Sequence, residues 1–182
     1  MSTSVLICFA HPAFERSRAN RALLEAVRVV DGVRVHDLYE AYPDFVIDVP
    51  AEQARMEAHE AIVFQFPFFW YSTPAILKEW QDLVLEHGWA YGSDATALRG
   101  KRFLCALTTG GGVGSYGPSG GNRYSVPELL RPLEQTARLC GMEPLEPFIV
   151  YETHSLSDAQ LAAEAQRYAA RLQALTTPVA GR

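Results

Sequence analysis

The residues of this sequence that could do chemistry are concentrated in three short stretches, and each stretch follows an apolar run. They are AHPAFERSRAN (10–20), FQFPFFWYSTPAILKEW (64–80) and TTGGGVGSYG (108–117). Hydroxyl, amide and guanidinium groups in the first stretch could bind an anion. The rings of the second could stack on a flat ligand, and the glycines of the third could bring backbone N–H groups close to one.

The first stretch predicts a phosphate site. A loop that leads into a helix offers unpaired N–H groups and the positive end of the helix dipole. Ser17, Arg18, Asn20 and His11 add side-chain donors around it. The alternative is that Ser17 only caps the helix, that Arg18 is a solvated charge and that His11 is a loop histidine. Neither a G-x-G-x-x-G motif nor a Walker A lysine is present, which argues against dinucleotide and ATP sites of those types.

The second stretch predicts an aromatic wall at the end of a strand. Pro67 cannot donate to a sheet ladder, so the strand ends there. The next four residues, Phe68, Phe69, Trp70 and Tyr71, then fall on the loop at the strand's carboxyl end. The alternative for any single ring is a hydrophobic cluster under a neighbouring loop or at a dimer contact.

The third stretch predicts an amide-rich turn. Gly110 and Gly111 allow the backbone to approach a ligand closely, and Thr108 and Thr109 place hydroxyls beside the N–H groups of the turn. The alternative is a surface loop without a ligand.

The elements that would position these stretches alternate along the chain. Apolar runs rich in β-branched residues alternate with amphipathic segments, which is typical of a parallel sheet covered by helices on both faces. The predicted strands are approximately Ser4–Ala10, Val33–Leu38, Ala61–Phe66, Arg102–Leu107 and Leu145–Val150. Helical spacing covers 17–30, 51–60, 73–88, 126–141 and 155–175, with Ser157 as an N-cap and Gly141 as a left-handed terminator. Two longer irregular stretches cover 39–50 and 110–125.

Five βα units in a chain of 182 residues predict an α/β fold, a flavodoxin-like doubly wound five-stranded parallel sheet of order 2-1-3-4-5, in a single domain over 1–182. In such a sheet, ligands bind beyond the carboxyl ends of the strands near the topological switch point. The three stretches follow strands one, three and four. A phosphate-binding turn, an aromatic wall and an amide-rich turn at these places together describe a site for flavin mononucleotide (FMN).

Composition excludes other classes of protein. The formal net charge is −5 and no Lys/Arg block occurs, so nucleic acid is not an expected partner. The longest apolar runs are too short for a membrane-spanning helix, and no basic segment precedes the first of them, so we expect no signal peptide and a cytoplasmic location. Cys8, Cys105 and Cys140 lack metal-ligand spacing and are expected to be reduced thiols.

The second stretch, with AHP before it and HGWAYG (87–92) and TTGG after it, resembles the flavodoxin-like NAD(P)H:quinone oxidoreductases. That family includes DT-diaphorase and the ancillary oxidoreductases of bacterial glutathione-regulated potassium-efflux systems. The segment LYEAYPDFVIDVPAEQ (38–53) and the short chain favour the potassium-efflux branch.

The resemblance implies ping-pong transfer of two electrons from NADPH or NADH, through FMN or less favourably FAD, to a quinone. It assigns the phosphate and ribityl contacts, the ring wall and the pyrimidine-edge turn to His11, Ser17, Arg18, Asn20, Pro67, Phe68, Phe69, Trp70, Tyr71, Thr108, Thr109, Gly110 and Gly111. Tyr116 matches a tyrosine that hydrogen-bonds at the redox centre. Asn122 stands where DT-diaphorase has a histidine, and an amide cannot take up a proton near neutral pH.

The resemblance also implies a homodimer in which Trp89 and Tyr91 cover the flavin of the partner subunit. Two other functions are open at this point. One is a flavodoxin-type electron carrier without turnover of its own. The other is a regulatory subunit of a potassium-efflux transporter, which would place the protein at the periphery of the inner membrane.

Overall fold

The chain forms a parallel sheet of order β2-β1-β3-β4-β5 in the computed structural model, which describes residues 4–177. A sixth strand, β6, also pairs with β4. The predicted fold class and strand order are therefore confirmed. The strands are β1 Val5–Phe9, β2 Val33–Asp37, β3 Ala61–Pro67, β4 Arg102–Thr108, β5 Glu143–Pro144 and β6 Phe148–Val150.

Helices cover both faces of this sheet. One face packs against α1 and α7, and the other packs against α2 to α6. Alternate residues of each buried strand enter the two cores, as Leu6 and Cys8 enter one and Val5 and Ile7 the other. The helices are α1 Arg18–Val27, α2 Leu38–Ala41, α3 Val49–Glu57, α4 Ala75–Val84, α5 Val126–Leu129, α6 Arg131–Leu139 and α7 Asp158–Thr176.

The fifth strand position is interrupted, whereas the sequence predicted one strand over Leu145–Val150. Phe103 of β4 pairs with Pro144, and Ala106 pairs with Phe148. Three steps along β4 therefore match four steps along its partner, which is the signature of a β-bulge. Pro147 lies inside the extra stretch, where its missing N–H cannot break a ladder.

The predicted helix over 126–141 is also interrupted. It divides at Leu130 into α5 and α6, because Pro132 cannot donate the hydrogen bond that a continuous helix requires. The short helix α2 was not predicted. Its N-terminus is capped by the Asp37 carboxylate, which accepts from the N–H groups of Tyr39 and Glu40.

Two predicted helix ends are confirmed. Ser157 caps α7 in a capping box with Gln160, and Gly141 ends α6 with a φ of 72°. All three cysteines are buried free thiols. Within residues 4–177, no helix is long and apolar enough to cross a membrane. The single-domain assignment over 1–182 includes ends that lie outside the described residues and stays a prediction.

Candidate active site at the carboxyl edge of the sheet

The loops that follow β1, β3 and β4 meet at the carboxyl edge of the sheet. The His11 ring, from the first loop, contacts the Phe69 ring of the second edge-on at 6.1 Å between centroids. The Phe68 N–H donates to the Thr108 carbonyl at 2.8 Å, which joins the second loop to the end of β4. The structure thus brings the three chemically rich stretches into one place.

The first loop presents unpaired donors. Ser17 caps α1, and its Oγ accepts from the Asn20 N–H at 3.2 Å. In the described part of the chain, the N–H groups of Arg18 and Ala19 have no acceptor. The N-terminus of α1 can therefore bind an anion.

The side chain of Arg18 has a partner on α7. Its Nη2 donates to the Asp158 carboxylate at 2.6 Å and to the Leu156 carbonyl at 3.3 Å. Both side chains of this ion pair are exposed, so a phosphate at the α1 N-terminus could compete with Asp158 for the guanidinium.

His11 is half-buried and has a defined orientation. Its Nδ1 accepts from the Ala13 N–H at 3.1 Å, which leaves the ring proton on Nε2. Burial lowers the pKa of His11 below its usual value, against the opposing effect of Glu15. A neutral imidazole near pH 7 is the expected form, with Nε2 as a donor.

Below these loops lies a neutral buried network, which we call the Asn20 network. The Asn20 amide is 1% exposed, and its Nδ2 donates to Ser17 Oγ at 3.2 Å and to Thr108 Oγ1 at 3.1 Å. Its Oδ1 accepts from Gln65 at 3.3 Å, and Gln65 in turn accepts from the Tyr168 hydroxyl at 2.9 Å. Asn20 and Thr108, predicted as cofactor contacts, thus bond to each other under the loops, and direct contact with a cofactor stays a prediction for both.

The second loop forms a strained turn, which we call the aromatic turn (Phe69–Ser72). The Ser72 N–H donates to the Phe69 carbonyl at 3.0 Å, and Trp70 and Tyr71 between them have φ angles of 47° and 65°. This backbone is ordinarily reserved for Gly, Asn or Asp. The Trp70 side chain is nevertheless 93% exposed. Backbone strain around an exposed ring makes this turn a candidate ligand contact, and its predicted place in a cofactor site stays a prediction.

The third loop begins with a second turn, the glycine turn (Thr109–Gly112). No acceptor for the N–H groups of Gly110 and Gly111 occurs within residues 4–177. Tyr116 packs so that its Cε2 would lie 3.4 Å from a Cβ added at Gly111. Burial raises the pKa of Tyr116, so its phenol keeps its proton near neutral pH. The turn therefore combines two free amides with a neutral phenol.

Asn122 connects this loop to the aromatic turn. Its Oδ1 accepts from the Tyr71 hydroxyl at 3.0 Å, and its N–H donates to the Ser115 carbonyl at 2.9 Å. The two residues predicted as catalytic therefore border the same site, Tyr116 against the glycine turn and Asn122 against the aromatic turn. Their catalytic roles stay predictions.

A fourth segment at this edge was not predicted. The Thr153 N–H donates to the Thr109 carbonyl at 3.1 Å, and the Glu152 N–H donates to the Gly111 carbonyl at 3.2 Å. The segment 151–154, which follows β6, thus supports the glycine turn from outside. Its sequence signal was the position of Glu152 and His154 directly after the fifth strand, beside strand four.

Trp89 and Tyr91 contact other parts of their own subunit. The Trp89 indole donates to Glu57 at 2.7 Å, at the end of α3 that leads into the amino end of β3. The Tyr91 ring packs edge-on against His87 at 5.3 Å. Their predicted place over a partner's cofactor requires a second subunit and stays a prediction.

The donor set fits FMN. Free amides at the α1 N-terminus suit its phosphate, the aromatic turn suits its rings, and the free amides of the glycine turn suit the polar edge of those rings. Thr73 Oγ1, one residue beyond the aromatic turn, is a buried oxygen without a partner in the described residues. Such an atom is expected where a ligand completes the hydrogen bonding.

The strand order and this edge site define a flavodoxin-like α/β protein. A family model described as the flavodoxin-like fold matches residues 3–172, and the chain belongs to that family. The glutathione-regulated potassium-efflux system ancillary protein KefF of Klebsiella aerogenes is 45% identical over 168 residues, which are 92% of this chain and 94% of KefF.

Solved structures of similar proteins have the same fold. The general stress protein 14 of Treponema denticola in complex with FMN has a TM-score of 0.89 and 39% identity, over 94% of this chain and 99% of that one. An NADPH-quinone reductase from P. pentosaceus has a TM-score of 0.83 and 28% identity, over 97% and 99%. The resemblance to flavodoxin-like quinone oxidoreductases, including the potassium-efflux branch, is confirmed.

Proposed function

We propose that this protein is an FMN-dependent NAD(P)H:quinone oxidoreductase. The observation that carries the proposal is the meeting of an α1 N-terminus with free amides, a strained aromatic turn and a glycine turn with free amides at one sheet edge. The FMN complex of a 39% identical protein and the quinone reductase of the same fold support it.

Each part of the site has a binding task. The N–H groups of Arg18 and Ala19 would hold the phosphate, with Ser17 as their cap. Phe68 and the aromatic turn would flank the ring system. The Gly110 and Gly111 amides would face its pyrimidine edge and stabilise negative charge there, since fixed dipoles need no reorganisation when charge develops.

Bound FMN supplies the hydride chemistry, and the chain supplies positions and protons. Tyr116 carries a phenol proton that its raised pKa retains, and it can donate that proton in a hydrogen bond to a quinone oxygen. The Tyr71 hydroxyl is held by Asn122, which fixes one ring of the aromatic turn. The exposed Trp70 can exclude water from one side of a flat substrate.

Anaerobic reduction tests the proposal. The protein, saturated with FMN, receives NADPH or NADH, and the visible absorption of the flavin is followed. Rapid loss of absorption, reversed by a quinone, is expected, and parallel lines in double-reciprocal plots would establish the ping-pong order. Tight FMN binding without reduction by either nucleotide would refute the reductase and favour an electron carrier.

The substitution Tyr116→Phe tests the proposed role of the Tyr116 phenol. It should slow the quinone half-reaction about 10-fold and leave FMN affinity unchanged, because only the phenol proton is removed. Unchanged rates in both half-reactions would exclude the role of Tyr116.

We also propose a homodimer in which Trp89 and Tyr91 reach the partner's site, and an active monomer at high dilution would exclude it.

A second function is supported by one observation, the 45% identity to KefF over nearly the whole of both chains. We propose that the protein also acts as an ancillary subunit of a potassium-efflux transporter, in the cytoplasm at the inner-membrane surface. A pull-down with the cytoplasmic domain of the transporter tests this, with and without bound FMN. Absence of capture in both states would refute it.

A further inference from the structure

The third loop carries an arginine, Arg123, to which the proposed function gives no task. Its side chain is exposed, and the described part of the chain offers it no hydrogen bond or ion pair. The next carboxylate along the chain, Glu128, is engaged elsewhere, since it accepts from the Ser125 N–H at 2.8 Å and from the Ser125 hydroxyl at 2.6 Å. Arg123 is therefore a cation that is free to bind an anion.

Hydrogen bonds on both sides hold Arg123 beside the aromatic turn. Its own N–H donates to the Gly120 carbonyl at 3.1 Å, and the Asn122 side chain just before it accepts from the Tyr71 hydroxyl at 3.0 Å. Two residues after it, Ser125 caps α5 in a capping box. The backbone at Arg123 is therefore fixed at the mouth of the site, one residue from a direct contact with the aromatic turn.

The loop is closely folded at this point. A Cβ at Gly120 would collide with the Ser115 carbonyl, so only glycine fits there. The Asn122 N–H donates to the same carbonyl at 2.9 Å. Arg123 follows with a φ of 61°, a left-handed backbone that glycine adopts without strain. An arginine here adds strain without burying its side chain, so neither the backbone nor the core accounts for it.

Tyr124, the next residue, adds an exposed ring. Its side chain is 58% exposed, so the pair offers a planar ring and a planar guanidinium at one rim of the site. An exposed ring can stack on a base, and a guanidinium can bind a phosphate through two parallel hydrogen bonds. A phosphorylated adenosine combines these two groups. The chemistry of this rim therefore fits the adenosine half of a dinucleotide that carries an additional phosphate.

Two other arginines at this edge serve the opposite end of the site. Arg18 pairs with Asp158, and Arg21 donates to the Glu15 carbonyl. Both lie on α1, at the end assigned to the FMN phosphate, whereas Arg123 lies beside the turns assigned to the rings. A nicotinamide stacked on those rings would leave the adenosine half of its nucleotide outside the turns, where Arg123 is exposed.

We infer that Arg123 binds the 2′-phosphate of NADPH and so selects NADPH over NADH as the hydride donor. The inference rests on the proposed function and names its donor. The two nucleotides differ only in this phosphate. A contact with the base or the pyrophosphate would favour both equally, whereas a guanidinium on the 2′-phosphate stabilises the complex with NADPH alone.

Steady-state kinetics of the FMN-loaded protein with each nucleotide test the inference. Arg123→Gln should lower kcat/KM for NADPH about 10-fold, mainly through KM, because a binding contact away from the reacting atoms is lost. The same variant should keep kcat/KM for NADH within about twofold, which also shows that its site is intact. Raising the ionic strength about fourfold should narrow the difference between wild type and variant, since exposed charges are screened.

Direct binding gives a readout without turnover. In calorimetric titrations of the FMN-loaded protein, 2′,5′-ADP carries the phosphate in question and 5′-AMP lacks it. Wild type should bind 2′,5′-ADP about 10-fold more tightly than 5′-AMP, as expected for a hydrogen-bonded charge pair. Arg123→Gln should bind the two probes with similar affinity. Equal affinities in the wild type would contradict the assignment.

Two further variants frame the result. Arg123→Lys keeps the charge without the planar fork and should fall between wild type and Arg123→Gln. Arg28→Gln removes another exposed arginine that lacks a partner in residues 4–177, at the far end of α1, and should change neither measurement.

The outcomes separate this inference from the proposed function. Equal losses with NADPH and NADH in Arg123→Gln would place the guanidinium on a phosphate that both nucleotides share. Unchanged kinetics with NADPH would remove it from the nucleotide site. Either result would overturn this inference and leave the proposed function standing. A wild-type protein that neither nucleotide reduces would overturn the proposed function with it.

Discussion

Two buried polar networks lie on opposite faces of the sheet, and they differ in charge. The Asn20 network, on the α1 and α7 face, consists of neutral amides and hydroxyls. The other, which we call the Glu52 network, lies on the α3 and α4 face around a carboxylate that is 0% exposed. Glu52 accepts from Tyr42 at 2.6 Å, from His36 and Trp80 at 2.8 Å each, and from Arg55.

The Glu52 carboxylate and the side chains around it shift each other's pKa values. Burial alone would raise the pKa of Glu52, but hydrogen bonds from His36, Tyr42 and Trp80 outweigh burial and hold this pKa below its ordinary value. Burial and the bond to Glu52 raise the pKa of Tyr42 to about 12. Glu52 is therefore ionised throughout the neutral range.

The two networks join different parts of the molecule. The Glu52 network ties β2 and the segment after α2 to α3 and α4. The Asn20 network ties the loop after β1 to β3 and to the end of β4, which are the elements that form the site. We therefore expect substitutions in the Glu52 network to change stability alone. Substitutions in the Asn20 network should change stability and cofactor affinity together.

The largest effect is expected for Glu52→Ala. Loss of the carboxylate leaves His36, Tyr42 and Trp80 without their acceptor and Arg55 without its counter-ion, so the free energy of unfolding should fall by about 3 kcal/mol. FMN affinity of the folded protein should change less than twofold. Chemical denaturation and FMN fluorescence titration measure the two quantities, with the exposed Glu79→Ala as the control. A large loss of FMN affinity would contradict the separation of the networks.

Asn20→Ala should destabilise the protein less than Glu52→Ala does, but it should weaken FMN binding more. It leaves Gln65 and Thr108 with unmade hydrogen bonds, so unfolding should become easier by about 2 kcal/mol. FMN should bind at least about 10-fold more weakly, because the loops after β1 and β4 lose their connection. The same two titrations apply, and wild-type affinity would show that the loops are positioned without Asn20.

Tyr168→Phe changes the end of the Asn20 network that is farthest from the loops. Only the hydroxyl that donates to Gln65 is lost, so the expected destabilisation is about 1 kcal/mol. FMN affinity should remain within about twofold of wild type. An affinity loss as large as that of Asn20→Ala would mean that the whole network, and not its loop end, positions the site.

The smallest effect concerns pH. A depressed folded-state pKa stabilises the protein fully above the unfolded-state value, and this stabilisation is lost as the pH falls through the folded-state pKa. For Glu52 the loss should begin below its ordinary value of 4.5. The stability difference between wild type and Glu52→Gln should therefore narrow on acidification below that pH, in urea unfolding curves at successive pH values. If the difference in stability widened instead, the pKa of Glu52 in the folded protein would lie above its ordinary value and not below it.

Much of the fold could be predicted from the sequence because its signals are local. Apolar runs gave the strand positions, the count of βα units with right-handed crossovers gave the strand order, and Ser157 and Gly141 marked helix ends with residue types that helix ends favour. The breaks at Leu130 and before Phe148 were missed, although prolines stand at both places. The apolar spacing continues across each break, so each segment was predicted as one continuous element in spite of its prolines.

The site was predicted to a lesser extent. Pro67 and the rings after it marked the aromatic turn directly, since a core does not require four rings in succession at the end of a strand, and three of them, Phe69, Trp70 and Tyr71, are exposed. The Asn20 and Glu52 networks were not predictable, because their members come from separate elements and meet only in the folded chain. The segment 151–154 was missed for the same reason, since its hydrogen bonds to the glycine turn depend on how β6 lies beside β4.

The bulge in the fifth strand also bears on aggregation. An edge strand normally leaves a row of unpaired carbonyls to which another chain can add a strand. Here Arg167 donates to the Ile149 carbonyl at 3.2 Å and lies over the Phe148 ring, and Arg171 reaches the Glu146 carbonyl at 3.5 Å. With Pro144 and Pro147 in the same edge, two arginines of α7 close this side of the sheet to intermolecular strand pairing.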